Sequence, residues 1–216
     1  MVSEVSETNI PVSLLNSWIL SGDDFAATAF VLAGNDTISI LHALGGTIRA
    51  FGGADLVTGG AGAEQISGDE GNDTLRGGTG NDTLRGGAGV DRLEGGDGFD
   101  IADYGTDSPT GGISVNLLGF NLSDPVFALD GHGNFEVLVT IEGIVGTDFA
   151  DVIYGTNEAN LFRGAGGADQ FVGWGGADSI EGGAGDDVML GWTGNDSLLG
   201  DAGADYAWAG DGDDTA

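Results

Sequence analysis

Several residue types that commonly build functional sites are absent or scarce in this chain of 216 residues. There is no Cys, so neither disulfides nor thiolate metal ligands are available. The two His residues, His42 and His132, are too few for a multi-histidine metal site. There is no Lys, and the five basic residues are all Arg. Because nucleic-acid binding needs clustered positive charge, this scarcity argues against nucleic acid as a partner.

Longer sequence signals are missing as well. No run of about 20 apolar residues predicts a membrane span. A G-x-S-x-G nucleophile motif and an H-E-x-x-H zinc motif are both absent, and no other catalytic constellation stands out. We therefore expect these residues to carry no enzymatic activity of their own, although a longer parent protein could be an enzyme.

Glycine and acidic residues are abundant. The chain has 44 Gly and 35 acidic residues, and its formal net charge is −30. Such a composition often indicates disorder, but 40% of the residues are hydrophobic, which is enough for a core. An excess of carboxylates this large favours cations as partners.

The acidic residues recur with a period of nine. A first series runs from Asp55 to Asp100, and a second runs from Asp151 to Asp214. The separation between Asp100 and Asp151 is not a multiple of nine, so the register breaks between the series. An internal repeat of this kind predicts a solenoid.

Each unit follows the pattern G-G-x-G-x-D-x-U-x, in which U is apolar, as in residues 77–85. The Gly-rich part predicts a tight turn, and the three residues around U predict a short strand. Two units make an 18-residue coil with a strand on each side. Stacked coils then form an all-β parallel β-roll, a β-solenoid with little helix. The apolar positions that would meet inside are Val57, Ile66, Leu75, Leu84, Leu93, Ala102, Ile153, Phe162, Phe171, Ile180, Met189, Leu198 and Ala207.

Stacking brings the acid of one turn next to the acid found two units later. Neighbouring strands are about 4.7–4.9 Å apart, and carboxylates at such a distance repel each other unless a cation lies between them. Turn carbonyls point to the same place. Six or more oxygen ligands at about 2.3–2.6 Å suit calcium, whereas magnesium demands stricter octahedral geometry. We therefore predict calcium ions as the cofactor.

The repeat resembles the calcium-binding nonapeptide repeat of the RTX (hemolysin-type) family. The resemblance covers roughly residues 50–103 and 148–216. It implies that one turn contributes its Asp and the carbonyls of positions two and four. The same-side neighbour contributes its Asp and the carbonyls of positions one and three.

On this sequence the resemblance places one turn opposite the turn that comes two units later. Gly78, Gly80 and Asp82 would face Gly95, Asp97 and Asp100, and Gly183, Gly185 and Asp187 would face Gly200, Ala202 and Asp205. The remaining metal ligands that it implies are Asp73, Asp91, Asp151, Asp169, Asp178, Asp196, Asp214, Gly71, Gly86, Ala88, Gly167, Gly176, Gly182, Ala184, Gly191 and Thr193.

Some turns depart from the pattern. Glu64 and Asn160 replace Asp, Glu158 replaces the Gly of position four, and Ala50 and Phe51 replace a Gly pair. Pairs of turns two units apart set a ceiling of ten ions, four in the first series and six in the second. Leaving out the pairs with Glu64 and Asn160, we expect about eight, which would change the net charge from −30 to −14. Their affinity should fall as the pH drops toward the carboxylate range near ~4.

Four segments are predicted. Residues 1–30 form an N-terminal cap; the alternative, a signal peptide, is disfavoured because Glu4 and Glu7 stand where positive charge belongs. Residues 31–103 form the first tract, whose blurred units at 31–49 lack strong ion sites. Residues 104–147 are an irregular β-rich connecting segment, with strands at 113–117 and 135–141. Residues 148–216 form the second tract, and because Ala216 is position eight of a unit, we expect the natural chain to continue.

The resemblance implies a secreted bacterial protein that is exported by type I secretion and folds on calcium outside the cell. Two alternatives stay open. The chain would be the C-terminal secretion and folding part of a secreted protease, lipase or alginate epimerase, or it would be an adhesin module for a polysaccharide, a cell-surface ligand or ice. Trp174 and Trp192 share position two of same-side units in neighbouring coils, so they are expected to form an aromatic ladder, packed on the turn surface or open to a sugar.

Overall fold

The computed structural model describes residues 18–20, 27–30, 34–40, 45–105, 109–118 and 126–216. Within these ranges the protein is all-β, and none of its segments is a helix that could span a membrane. The strands form two sheets that stack coil by coil in about nine turns, one for each strand of the smaller sheet. The predicted parallel β-roll is confirmed.

The larger sheet has 12 strands. In their spatial order these are β1 (Trp18–Leu20), β3 (Thr37–Ile40), β5 (Leu56–Thr58), β7 (Thr74–Thr79), β9 (Arg92–Asp97), β13 (Phe135–Val139), β12 (Val126–Leu129), β11 (Ser114–Asn116), β15 (Val152–Tyr154), β17 (Gln170–Gly175), β19 (Val188–Thr193) and β21 (Tyr206–Asp211).

The smaller sheet has nine strands, all paired in parallel. In spatial order they are β2 (Ala27–Phe30), β4 (Gly46–Arg49), β6 (Glu64–Glu70), β8 (Thr83–Ala88), β10 (Ile101–Asp103), β14 (Gly143–Val145), β16 (Leu161–Arg163), β18 (Ser179–Ala184) and β20 (Ser197–Ala202).

The register of the repeats follows the sequence period. Leu75 pairs with Leu93 in the 12-stranded sheet, and Ile180 pairs with Leu198 in the other, so each residue lies beside its equivalent two units later. In the blurred N-terminal units, Ile38 pairs with Val57. These two residues are one position further apart than the partners of the regular repeat, because one residue is inserted between them.

The core lies between the sheets and is built from one apolar side chain per strand. Such side chains alternate with outward-facing polar ones, because successive residues of a strand point to opposite faces. All of the predicted interior positions are buried except Ala207, which is exposed on β21, the last strand of its sheet. Phe162 and Phe171 are the largest of the fully buried side chains and stack with ring centroids 6.2 Å apart.

The connecting segment continues both sheets. β14 joins β10 to β16 in parallel, so the 9-stranded sheet crosses the register break without a gap. In the other sheet, β13 pairs in parallel with β9, while β12 pairs antiparallel with β13 and with β11. β11 and β13 are the two strands that the sequence predicts here, and β12 is an additional one. Leu138, Ala128 and Val115 from these strands extend the core.

The boundaries of the four predicted segments stay a prediction. Most of the cap predicted at residues 1–30 lies outside the described residues, which include only β1 and β2. These two strands pair in parallel with β3 and β4 and so lie in the two sheets of the roll.

Candidate metal centre

The acids of the repeat form continuous rows along the turns, and each is joined to the next by a backbone hydrogen bond. The amide of Asp82 donates to Oδ1 of Asp100 at 2.8 Å, and the amide of Asp187 donates to Oδ1 of Asp205 at 3.0 Å. The stacking thus brings together the same-side acids that the sequence pairs. Bonds of this kind also join Asp55, Asp73 and Asp91, Asp151 and Asp169, Asp169 and Asp187, and Asp178, Asp196 and Asp214.

The second carboxylate oxygen is buried and has no hydrogen-bond donor in most of these side chains. Because a buried polar oxygen without a partner is costly, its repetition along the rows indicates that a cation belongs there. Among the described residues, such oxygens are Oδ2 of Asp55, Asp73, Asp82, Asp100, Asp169, Asp178, Asp187 and Asp196, and Oε1 of Glu64 and Glu136.

Backbone carbonyls of the next turn approach these oxygens. Above Gly77, Oδ2 of Asp82 and the carbonyl oxygen of Gly95 converge on the space that a Cβ would fill. Two acceptors that face each other repel, whereas a cation between them would bind both. The same arrangement recurs in other turns, where a carbonyl oxygen faces Oδ2 of an Asp: that of Gly86 faces Asp73, that of Gly182 faces Asp169, and that of Gly191 faces Asp178.

The other predicted carbonyl ligands lie in the same stacked turns. The Gly80 amide donates to the carbonyl of Asp97 at 2.8 Å, and the Gly185 amide donates to that of Ala202 at 2.7 Å. A carbonyl has two lone pairs, so these bonds leave one available for an ion. Equivalent bonds from Gly71 and Gly167 reach Ala88 and Ala184. The remaining predicted carbonyl ligands lie at or near the ends of strands: Gly78 in β7, Gly183 in β18, Thr193 in β19, Gly200 in β20, and Gly176 directly after β17.

Burial makes these carboxyls hard to ionise in the absence of a cation. It raises the pKa of Asp73, Asp169 and Asp178 to about 7 and that of Asp100 to about 6. Hydrogen bonds from backbone amides oppose the shift, and the charges of neighbouring acids add to it.

The Arg side chains do not neutralise the rows. All five form ion pairs with acids outside them: Arg49 with Asp69, Arg76 and Arg92 with Glu94, Arg85 with Asp103, and Arg163 with Glu181. Within the described ranges no group of three or more His, Cys, Asp or Glu side chains is arranged as a metal site. The available donor set is therefore pairs of carboxylates with backbone carbonyls, a set that suits calcium.

The turns that depart from the repeat differ from one another. Glu64 keeps a buried oxygen without a donor, and burial raises its pKa to about 7. Asn160 is different, because its Nδ2 donates to the Glu142 carbonyl at 3.0 Å and its Oδ1 accepts from the Thr156 amide at 2.8 Å. With Asp at this position, a cation would be needed between the carboxylate and the Glu142 carbonyl. The Asn160 amide group contacts that carbonyl through its own N–H instead.

Asp151 is also satisfied by the protein. Its Oδ2 accepts from the Thr147 amide at 2.7 Å, and its Oδ1 accepts from the Ile113 amide and the Thr147 hydroxyl at 2.7 and 3.0 Å. Thr147 stands where other units have their second Gly. The Thr147 hydroxyl is a donor that Gly cannot supply, and it adds to the two backbone amides that already bind the carboxylate.

Two acids of the connecting segment join the rows, and the sequence did not reveal them. Oε2 of Glu142 accepts from the Asp100 amide at 2.8 Å, in the same way that an Asp would. Glu136 is fully buried beside Asp91, and its pKa is raised to about 8 by burial, with the charges of Asp91 and Asp130 adding to the effect. Their only sequence signal is position: Glu136 is the second residue of the strand predicted at 135–141, and Glu142 directly precedes the Gly-Ile-Val run.

The predicted aromatic ladder is present on the turns of the second tract. The rings of Trp174 and Trp192 stack with centroids 5.3 Å apart, and Trp208 meets Trp192 edge-on at 5.2 Å. Both Trp174 and Trp192 have a positive φ, at the position that is Gly in other units. Stacking between neighbouring turns thus accounts for their alignment.

The comparisons with known proteins agree with the geometry. A family model described as the RTX calcium-binding nonapeptide repeat matches residues 47–66, 67–102, 145–180, 175–198 and 191–216, which together exceed half of the chain. No curated protein matches the chain. The family match, the roll of 18-residue coils and the rows of acids lead to one conclusion: the chain belongs to the RTX family of calcium-binding repeat proteins.

Proposed function

We propose that this chain is a calcium-dependent folding module of a secreted bacterial protein, unfolded in the cell and folded into its β-roll after type I export. The observation that carries the proposal is the row of buried carboxylate oxygens that have no donor and face backbone carbonyls. Extracellular calcium modules work at about 10⁻⁴–10⁻³ M, a concentration that the cytosol does not reach.

Electrostatics supports an unfolded calcium-free state. The net charge is −30, and the Arg side chains pair with acids outside the rows. Each added coil brings further like charges together, so stacking is opposed until cations bind. Ions that bind only the folded chain stabilise it by mass action. We propose about eight ions, at most ten in the two tracts.

Calcium titration followed by circular dichroism tests the proposal. The protein in excess chelator should give a largely disordered far-UV spectrum, and added calcium should produce a cooperative change to a β spectrum that chelator reverses. Magnesium at equal concentration should do much less, because it keeps its waters and demands octahedral geometry. Native mass spectrometry of the same samples would count the ions. A fully folded protein in chelator, or fewer than four bound ions, would contradict the proposal.

Export is tested separately. The chain fused to a reporter should be released by a type I secretion system, and release should not require prior folding. If a variant that folds without calcium were exported equally well, the proposed link between export and the unfolded state would be wrong.

A further inference from the structure

Glu136 occupies a position in one of the rows of acids although it belongs to no nine-residue unit. Val137 is in register with Arg92, and its amide donates to the Asp91 carbonyl at 2.9 Å, so Glu136 on β13 lies beside Asp91, which directly precedes β9. The Glu136 side chain is 0% exposed. A buried carboxyl group therefore continues the row of Asp55, Asp73 and Asp91 into the connecting segment.

The oxygen of Glu136 replaces a backbone carbonyl of the regular repeat. In two regular turns, an Asp oxygen and the carbonyl of the next turn converge above the first Gly of a unit: Asp73 with Gly86 above Gly68, and Asp82 with Gly95 above Gly77. Above Gly86 the converging oxygens are Oδ2 of Asp91 and Oε1 of Glu136. A Cβ on Gly86 would lie 2.5 and 2.8 Å from them.

The Glu136 side chain is fixed in this orientation. The Tyr104 hydroxyl donates to Oε2 at 2.7 Å, whereas Oε1 is buried and has no hydrogen-bond donor. Tyr104 follows β10 and is itself buried, so its ring holds the carboxylate from the core side. The free oxygen is thereby aimed at the space above Gly86.

Two charged side chains near this pair, Asp130 and Arg92, are engaged in other contacts. Asp130, also buried, uses Oδ1 to accept from the amides of His132 and Asn134 at 2.9 and 2.6 Å, and Oδ2 to accept from the Asn134 side chain at 3.1 Å. It adds negative charge without being a free ligand. Arg92, on the strand that follows Asp91, pairs with Glu94.

We propose that Asp91 and Glu136 form a further calcium site at the junction between the first tract and the connecting segment. The proposal rests on the proposed function, since it treats the neighbouring turns as calcium sites. A carboxylate in place of a neutral carbonyl adds one negative charge to the ligand set, and affinity for calcium increases with ligand charge. The ion would tie β13 to β9, so the connecting segment would order together with the first tract.

Glu136→Gln tests this site, because it keeps the size of the side chain and removes the charge. Native mass spectrometry in calcium chloride should show one ion fewer than in the wild type, and the melting temperature should fall in calcium. Glu181→Gln is the matched control, since Glu181 is half exposed on the outer face and pairs with Arg163. The control should keep every ion. An unchanged ion count in Glu136→Gln would overturn the proposal, and the pair would then be held by a hydrogen bond alone.

Tyr104→Phe decides the matter if Glu136→Gln does not fold. This variant keeps the ring in the core and removes only the hydroxyl that orients Glu136. At limiting calcium it should bind one ion fewer than the wild type, with the full count restored at higher calcium. Identical counts at every calcium concentration would overturn the proposal. Failure of the proposed function looks different, because the wild type itself would then bind no calcium.

Discussion

The backbone amide of Asp73 donates a hydrogen bond of 2.7 Å to Oδ1 of Asp91, the equivalent acid two units later in the chain. The same bond joins Asp178 to Asp196 on the opposite row at 2.9 Å. Oδ1 therefore has a structural role, since it links two coils, whereas Oδ2 is directed toward the carbonyl of a neighbouring turn. The two oxygens of one carboxylate thus have different roles, one in the stacking of coils and one in the candidate ion site. A substitution that keeps one oxygen and removes the charge can therefore separate the two roles.

Asp187→Asn should separate these roles. The Asn oxygen can still accept from the Asp169 amide, which donates to Oδ1 of Asp187 at 2.8 Å, but the charge is lost. We expect at least one ion to be lost and the melting temperature in calcium to fall. Asp187→Ala also removes the hydrogen bond and should cost about 1 kcal/mol more. Native mass spectrometry and thermal unfolding in calcium would measure both effects.

Asp214→Ala provides the comparison for Asp187. Asp214 accepts from the Asp196 amide and lies in the last described turn, so its loss should cost less than that of Asp187. Asp187 lies between two same-side neighbours, Asp169 and Asp205, so we expect it to contribute to two ions. Equal ion counts for Asp187→Ala and Asp214→Ala would contradict this expectation.

Much of the roll could be predicted because its physics is local and repeats. A period of nine places one apolar residue and one acid in every unit, and two units per coil fix the register between neighbouring coils. The pairing of Leu75 with Leu93 and the burial of Asp82 beside Asp100 follow from that spacing alone.

The connecting segment could not be predicted in the same way. Glu136 reaches Asp91 from a distant part of the sequence through the parallel pairing of β13 with β9, whose register no repeat specifies. The roles of Thr147 and Asn160 were missed for another reason. A hydroxyl or amide that replaces an ion as a donor is visible only when the contacts of the carboxylate are known.

Acidification should stabilise the calcium-free roll. The pKa of Asp73, Asp169 and Asp178 is about 7 in the folded chain, against about 3.9 for an unfolded Asp. The folded state therefore binds more protons, and the stability these groups contribute is fully present below pH ~4 and is lost as the pH rises through about 7. Circular dichroism in excess chelator should show more of the β-roll at pH ~5 than at pH ~8, where the calcium-free chain is expected to be largely disordered. Stability that rises with pH over this range would contradict the prediction.

Protons should also compete with calcium at higher pH than the sequence suggests. Ligating carboxylates must be ionised, so calcium affinity should fall as the pH drops below about 7, well before the ordinary carboxylate range near ~4. Calcium titrations at pH ~7.5 and ~6 would reveal the change. An affinity that stays constant down to pH ~5 would show that these groups are not ligands.

Asp151→Asn and Asp169→Asn should differ in their effect on calcium binding. Asp151 has donors on both oxygens from Thr147 and Ile113, whereas Oδ2 of Asp169 is buried without one. We expect Asp169→Asn to lose at least one ion and Asp151→Asn to keep the full count, although the repeat pattern includes both residues among the ligands. Native mass spectrometry decides between the two outcomes, and the loss of an ion in Asp151→Asn would show that an ion replaces the Thr147 contacts.

Gly185→Ala should prevent the coils from stacking, whereas Gly133→Ala should be tolerated. Both glycines have a positive φ, +146° and +88°, so an added side chain strains the backbone at either position. Gly185 also lies against the backbone of Gly167 in the coil below, and a Cβ would overlap its carbonyl oxygen, whereas nothing lies within 4 Å of a Cβ at Gly133.

The strain alone costs about 1–2 kcal/mol, which is the loss expected for Gly133→Ala. Gly185→Ala should lose several times as much, because the Gly167 amide must also give up its 2.8 Å bond to the Ala184 carbonyl when these two coils move apart. Urea unfolding in saturating calcium measures both variants, and similar losses for the two would mean that the close approach of backbones does not limit the residue type at these turns.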